Sequence, residues 1–301
     1  MPSESAAEAI REAIKNMQVN LKDAILNLDS LPTMPLVAQK ILRLPLDTLD
    51  GEKQLLKLIE QDPQISARII GLANSPLFGA SNKITSITDA AMMLGINRVK
   101  SVSVGIAVMS TLTRHPTGHM NVQHLWLHSL GIALAMCSLA HAMPTRSRPL
   151  DDEIFFAGLL HDIGFMVLNY IDPVRSDLLQ ARLAAIPDRP VNEVEAEVIE
   201  IGHGELGAEL AQHWDLPDAI VAVLRYHHTP ASDGANAGQP LIALLNLAEK
   251  LLPAFGITEH VSPDISEQDW LVLGIDPTRA EELAVSVRQQ AEHAKQVAAT
   301  L

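Results

Sequence analysis

The adjacent pair His161 and Asp162 is the part of the sequence best suited to chemistry. Apolar residues precede the pair and Gly164 follows it closely, so one turn of backbone can present an imidazole nitrogen and carboxylate oxygens. Mixed nitrogen and oxygen donors bind divalent cations such as iron, manganese, zinc and magnesium. A third candidate, His128, lies upstream in the helix-like segment WLHS (Trp126–Ser129). We therefore consider His128, His161 and Asp162 candidate metal ligands.

A structural interpretation of the same residues stays open. Buried polar side chains hydrogen-bond to one another and cap helices without any ligand. Hydrolysis at a metal also needs an open coordination position and a cleft for the substrate. The sequence identifies neither, so we assign no residue a catalytic role and keep a metal site and a polar network as alternatives.

Three more histidines, His203, His227 and His228, are assigned supporting or structural positions. His203 shares helical spacing with Leu210 and Trp214, which is typical of a packed helix face. Neighbouring residues on a helix point in different directions. At most one of His227 and His228 is therefore expected to face the site.

The composition indicates a folded protein and argues against a nucleic-acid partner. The 301 residues are 48% hydrophobic and 19% charged, which is enough apolar material for a sizeable core. The formal net charge is −14 at pH 7 and only 3% of the residues are aromatic, whereas nucleic-acid binding needs positive charge and stacking side chains. The single cysteine, Cys137, excludes a disulfide framework and fits a reducing compartment.

No membrane or export segment is expected. The N-terminus, Met1–Glu12, is polar and acidic, unlike the basic and then apolar start of a signal peptide. The most apolar windows, Val99–Leu112 and Leu130–Ala142, are expected to be too short or too interrupted to cross a bilayer. We therefore predict a cytoplasmic protein with no membrane partner.

The elements that must position these residues are helices. Apolar residues recur at helical spacing along nearly the whole chain, as at Ile65 and Ile69, and strand-like alternation is scarce. Proline follows Asp62, Asp172 and Asp276, which is typical of an N-cap residue with proline in the first turn. The pattern predicts an all-α protein, a bundle of about a dozen short helices.

Two loop-like segments divide the predicted helices. They are RHPTG (Arg114–Gly118) and PASDGANAGQ (Pro230–Gln239), and both are rich in residues that interrupt helices. We predict an N-terminal helix at residues 1–30, an N-terminal helical lobe at 31–116, a second helical lobe at 117–230 and a C-terminal helical extension at 231–301.

Two segments, WLHS (Trp126–Ser129) and GLLHDIG (Gly158–Gly164), resemble the HD superfamily of helical metal-dependent phosphohydrolases and their relatives. Further segments narrow the resemblance to the HDOD family, the HD-related output domain of bacterial signalling proteins. They are NSPLFG (Asn74–Gly79), ITDAAMMLGINRVK (Ile87–Lys100), GHGELGAELAQHWDLP (Gly202–Pro217) and YHH (Tyr226–His228), and the motifs stand in family order. The resemblance runs from about residue 31 to residue 228. It implies an all-helical fold in which the N-terminal lobe packs against an HD-like lobe at residues 117–230.

The resemblance also implies a set of metal ligands. Catalytic members of the wider HD superfamily are metal-dependent phosphohydrolases, and their first histidine and histidine–aspartate pair match His128, His161 and Asp162. Glu249 stands where those enzymes have a last aspartate, and its extra methylene shifts the carboxylate. These four residues are thus implied to hold a divalent cation, iron, manganese, magnesium or zinc.

For function, the resemblance implies a signal-transduction output or scaffold module that contacts a signalling protein and is not catalytic. The alternative is a metal-dependent phosphohydrolase that acts on a nucleotide or another phosphate ester. After His228 the sequence reads Thr229-Pro230 and lacks the GYP-type segment of cyclic-di-GMP phosphodiesterases, so degradation of that nucleotide is not expected. The oligomeric state is left open, with a homodimer as one candidate.

Overall fold

The computed structural model describes residues 21, 31–75, 78, 80, 82–113, 118, 120–252, 257 and 260–298. Within these residues the chain forms fifteen α-helices, two short 3-10 helices and no strand. The predicted all-α fold is confirmed. The predicted N-terminal helix at residues 1–30 lies, except for Leu21, outside the described residues.

Five of the described helices lie between residues 36 and 112. They are α1 (Leu36–Leu42), α2 (Leu49–Glu60), α3 (Pro63–Ala73), α4 (Ile87–Leu94) and α5 (Ile96–Leu112). Asp62 caps α3 as its proline neighbour predicts, because its side chain accepts the backbone N–H groups of Gln64 and Ile65. Gly95 separates α4 from α5 with a φ of 86°, a left-handed conformation that glycine adopts without a steric penalty.

Seven helices follow between residues 122 and 226. They are α6 (Val122–Ala140), α7 (Asp151–Leu160), α8 (Ile163–Ile171), α9 (Pro173–Ala185), α10 (Val191–Val198), α11 (His203–His213) and α12 (Asp218–Tyr226). Helix α7 packs against both α5 and α6, and α11 packs against both α8 and α12. Asp172 caps α9, since its side chain accepts the backbone N–H of Arg175.

The C-terminal part closes over α6. It contains α13 (Leu241–Leu251), α14 (Glu267–Leu271) and α15 (Ala280–Ala298), with 3-10 helices at Asp233–Gly238 and Pro277–Arg279. Helices α13 and α15 both pack against α6, and α15 buries Leu283, Val287 and Ala291. The buried apolar side chains of all three parts of the chain form one continuous core.

Two apolar segments are longer than the sequence windows suggest. Val122–Ala140 (19 residues) and Asp151–Ile171 (21 residues) are long and apolar enough to cross a membrane by length and composition, and the bent pair α4 and α5 is a third candidate among the described residues. The expectation that the apolar windows are too short was therefore wrong for these segments. Their hydropathy has a structural explanation, because 72% and 89% of the two apolar windows is buried inside the protein.

Candidate metal centre

Seven polar side chains converge where the ends of several helices meet. They are His128 in α6, His161 just after α7, Asp162 just before α8, His203 at the start of α11, His227 and His228 just after α12, and Glu249 in α13. The helical path breaks between Leu160 and Ile163. This break lets His161 and Asp162 present their donor atoms from one turn, as the sequence predicts.

Two glycines of the sequence motifs allow the helices to approach closely enough to form the cluster. A Cβ atom at Gly158 in α7 would collide with the backbone of Ala133 in α6. A Cβ atom at Gly164 in α8 would overlap the backbone carbonyl of His203 in α11. The absent side chains thus let α7 lie directly on α6 and α8 directly on α11.

One oxygen of Asp162 faces the first half of the cluster. Asp162 Oδ2 lies 3.3 Å from His128 Nε2 and 3.1 Å from His161 Nε2, and these two nitrogens are 3.1 Å apart. Glu249 Oε1 lies 3.6 Å from His161 Nε2. Potential ligand atoms of His128, His161 and Glu249 all lie within 4.8 Å of one another.

The other oxygen of Asp162 faces the second half. Asp162 Oδ1 lies 3.4 Å from His203 Nε2 and 3.7 Å from His227 Nε2, and these two nitrogens are 3.1 Å apart. His228 joins them, so that one ligand atom from each of the four residues lies within 4.8 Å of the rest. Asp162 is therefore the shared carboxylate of two half-sites.

The placement of His228 differs from the sequence expectation. Only one of His227 and His228 was expected to face the site, since neighbouring positions on a helix diverge. The helix ends at Tyr226, however, and in the following turn the two rings lie 4.0 Å apart, centroid to centroid. The expectation was wrong because it assumed a helix that continues through both residues.

The hydrogen bonds of the imidazole rings turn Nε2 toward the centre. His161 Nδ1–H donates to the carbonyl oxygen of Gly158 over 2.8 Å, and His227 Nδ1–H donates to that of Leu224 over 2.8 Å. A neutral imidazole that is protonated at Nδ1 has a lone pair at Nε2. Lone pairs gathered around a carboxylate suit a cation, so the donor set of the centre fits divalent metal ions.

The charges around His161 favour a positive charge at the centre. Burial opposes protonation of this ring, but the carboxylates of Asp162 and Glu249 outweigh burial and raise the pKa of His161 to about 9. Burial likewise opposes ionisation of Asp162, yet His161 and His128 hold the pKa of its carboxyl well below its ordinary value. The second proton of His161 lies on Nε2 and supplies positive charge there; a cation that binds at Nε2 would displace this proton and supply the charge in its place.

In the second half-site the surroundings of His227 disfavour protonation of its imidazole ring. Burial, and then repulsion from His228 and His203, lower the pKa of His227 well below its ordinary value. His227 is therefore neutral around pH 7 and offers a lone pair. Neutral imidazole is the form that binds metal ions.

The centre is almost completely buried. His161, Asp162, His203 and His227 are each 0% exposed, Glu249 is 2% exposed and His128 is 4% exposed. Only His228 is partly exposed. In this conformation the shared carboxylate of Asp162 is shielded from solvent.

The buried residue Glu195 also lies at the centre, although the sequence motifs do not predict it. It lies in α10, is 2% exposed, and accepts the Nδ1–H of His203 over 2.6 Å. Helical spacing carries a signal for it, because Glu195 shares the buried face of α10 with Val191, Val194 and Val198. An acidic residue on an apolar helix face indicates a buried partner.

An all-α fold organised around an adjacent histidine–aspartate pair defines the class of HD-type helical domains. The family model of the HDOD domain matches residues 31–230. This range is about two-thirds of the chain, and the chain therefore belongs to the HDOD family, as its sequence motifs predict.

Solved structures and a curated relative agree with this assignment. A putative signal transduction protein from Marinobacter aquaeolei VT8 is 26% identical with a TM-score of 0.76, over 98% of this chain and 66% of that one. An HDOD domain protein with unknown function from Geobacter sulfurreducens is 25% identical with a TM-score of 0.71, over 98% of both chains. An uncharacterized protein from Treponema pallidum (strain Nichols) is 26% identical over 73% of this chain, which spans only 41% of that relative.

Proposed function

We propose that the chain is a bacterial signal-transduction output module that contacts a signalling protein and uses its buried centre to hold divalent cations for structure rather than for turnover. Its membership of the HDOD family supports this function. So does its likeness, at 26% identity, to a solved structure described as a putative signal transduction protein.

Burial of the centre is the observation that carries the proposal. A hydrolytic metal site keeps an open position for water and gives the substrate access to it, whereas a structural site is closed. The shared carboxylate of Asp162 and the rings of His161 and His203 are fully buried. Such a site suits a cation that stabilises the packing of the helices that supply its ligands.

Each half-site offers a ligand set. His128, His161, Glu249 and Asp162 Oδ2 would hold one cation, and His203, His227, His228 and Asp162 Oδ1 would hold the other. Imidazole and carboxylate donors favour iron, manganese or zinc over magnesium, which prefers oxygen ligands alone. In an open site such a cation would supply a bound hydroxide as nucleophile.

Elemental analysis and a phosphate-release assay on the same preparation test the proposal. The chain is purified without chelator, its metal content is measured, and it is incubated with a panel of nucleotides and Mn²⁺ or Fe²⁺. We expect at least one bound cation per chain and phosphate release no faster than that of the His161→Ala/Asp162→Ala double variant. Metal-free wild-type protein, or turnover that the double variant loses while still folded, would contradict the proposal.

A metal-dependent phosphohydrolase is the second candidate, and one feature favours it. The two oxygens of Asp162 face separate groups of histidines, and paired cations joined by a carboxylate are common in enzymes that cleave phosphate esters. This function requires the centre to open. The phosphate-release assay above decides between the two candidates, because only the phosphohydrolase predicts turnover that depends on His161 and Asp162.

We also propose that the module works in the cytoplasm and binds a protein rather than a nucleic acid or a membrane. The formal net charge of −14 opposes binding to polyanions. Sedimentation at two salt concentrations would test for a homodimer, and a gel-shift assay at low salt would test for nucleic-acid binding. A shift at low salt would contradict this part of the proposal.

A further inference from the structure

We propose that Glu195 is a positioning residue of the metal centre, whose carboxylate fixes the His203 ring with Nδ1 protonated and Nε2 turned toward Asp162. This inference rests on the proposed metal-holding role of the centre. It concerns a residue outside the seven potential ligands, which acts through His203 rather than on the cation itself.

The contacts of Glu195 are short and directed at one residue. Glu195 Oε1 accepts the Nδ1–H of His203 over 2.6 Å and the backbone N–H of the same residue over 3.0 Å. On the other side of the ring, His203 Nε2 lies 3.4 Å from Asp162 Oδ1. The imidazole thus connects a supporting carboxylate on α10 to the shared carboxylate of the centre.

The orientation of the ring is fixed from a second direction. Phe165 stacks on His203 with 4.1 Å between the ring centroids and 15° between the ring planes. Phe165 sets the plane of the ring, and Glu195 sets which nitrogen carries the proton. Together they hold Nε2 in the form that a cation requires.

Burial of Glu195 argues for a specific role, because burial of a carboxylate is unfavourable unless it is paired and hydrogen-bonded. Its neighbours Glu193 and Glu197 on the same helix are exposed, whereas Glu195 is 2% exposed. The residue therefore occupies an apolar helix face at an energetic cost that its two bonds to His203 offset.

Glu195 also differs from the groups that orient the other rings. His161 and His227 donate their Nδ1–H to the backbone carbonyl oxygens of Gly158 and Leu224. Only a carboxylate partner also adds negative charge, which makes the imidazole a stronger donor to a metal. Loss of such a supporting group typically weakens metal binding by about 10- to 100-fold.

A purely structural role for Glu195 has to be separated from this one, since Glu195 Oε1 also accepts a backbone N–H at the start of α11. Glu195→Gln keeps an acceptor oxygen for both bonds but removes the charge. Glu195→Ala removes the acceptor oxygen and the charge. Glu193→Gln, an exposed change of the same type on the same helix, is the matched control.

The experiment measures Zn²⁺ affinity of the metal-depleted full chain by competition with a chromogenic chelator. Urea unfolding of each variant and ¹⁵N chemical shifts of labelled histidine are measured alongside. We expect Glu195→Ala to weaken Zn²⁺ binding by about 10- to 100-fold, Glu195→Gln to weaken it less at an unchanged urea midpoint, and Glu193→Gln to match wild type. The ¹⁵N shifts should show His203 protonated at Nδ1 in wild type, and this signature should change in Glu195→Ala.

Wild-type affinity in both Glu195 variants would overturn the inference while leaving the metal centre intact. A loss of affinity in Glu195→Ala alone, with Glu195→Gln equal to wild type in affinity and stability, would limit Glu195 to the hydrogen bonds and overturn the role of its charge. Wild-type protein that binds no Zn²⁺ would overturn the proposed metal centre and this inference together.

Discussion

The indole N–H of Trp214 donates a hydrogen bond to the carbonyl oxygen of Pro32 over 2.8 Å, across 182 positions of the sequence. Trp214 follows α11, the helix that begins with His203, and Pro32 precedes α1. The ring is 6% exposed. This contact joins the start of the HDOD domain to the end of the helix that contributes His203 to the candidate metal centre.

Replacing Trp214 with Phe should destabilise the fold through this bond. The change leaves the carbonyl of Pro32 without its donor, and a buried unsatisfied group costs about 1–3 kcal/mol. The free energy of unfolding, measured by urea denaturation, should fall by that amount. Trp126→Phe is the matched control, because the buried Trp126 Nε1 has no hydrogen-bond partner in the described part of the structure. An equal decrease in the free energy of unfolding in the Trp214→Phe and Trp126→Phe variants would refute a stabilising role for the Trp214 hydrogen bond.

Replacing Gly164 with Ala should separate α8 from α11. The added methyl group would overlap the backbone carbonyl of His203, and overpacking of this kind costs about 1–3 kcal/mol. We expect a lower thermal midpoint and weaker Zn²⁺ binding, because Asp162 and His203 move apart. In Gly202→Ala the new Cβ lies 3.4 Å from Glu195 Oε2, which is an ordinary contact. The Gly202→Ala variant should therefore keep the wild-type thermal midpoint and Zn²⁺ affinity. Wild-type metal affinity in Gly164→Ala would show that the close approach is not needed for the centre.

Replacing Asp162 with Asn should empty both half-sites, whereas replacing His227 with Ala should empty only one. The reason is that Asp162 contributes an oxygen to each half-site, and His227 lies beside Oδ1 alone. Elemental analysis of the purified variants measures the number of cations per chain. Asp188→Asn, an exposed change of the same type, should retain the wild-type content. Equal metal content in the Asp162 and His227 variants would contradict the two half-sites.

The ion pair between Lys250 and Asp269 should make the stability of the C-terminal extension depend on pH. Lys250 Nζ lies 2.7 Å from Asp269 Oδ1. Burial opposes ionisation of Asp269, but hydrogen bonds from Lys250 and Ser266 outweigh it and lower the pKa of its carboxyl below the ordinary value of 3.8. A lowered carboxyl pKa stabilises the fold above pH 3.8, and this contribution is lost as the pH falls through the lower folded-state value.

Asp269→Asn should therefore reduce the free energy of unfolding at pH 7, and its difference from wild type should shrink below about pH 4. Urea denaturation across this pH range measures the difference. Glu267→Gln, an exposed change on the same helix, is expected to show no such trend. If the free energies of unfolding of Asp269→Asn and wild type differ by a constant amount down to pH 2.5, the lowered pKa of Asp269 is contradicted.

The sequence predicts the helices and the central motif because both are encoded locally. Apolar spacing marks the buried faces, and the Asp–Pro pairs at Asp62 and Asp172 mark helix starts that the structure contains. His161 and Asp162 are adjacent, so one motif identifies both. Glu195 and His228 depend instead on tertiary packing and on where a helix stops. In the sequence Glu195 is one of several glutamates on α10, and only the fold shows that its partner is His203 in α11.

The position of Glu249 determines when, during synthesis, the first half-site can acquire all its residues. The HDOD match ends at residue 230, and Glu249 lies beyond it on α13 while contacting His161. During synthesis from the N-terminus, the ribosome must release α13 before the first half-site has all its carboxylates. A nascent chain that stops at the family boundary would carry the second half-site complete and the first one short of a ligand.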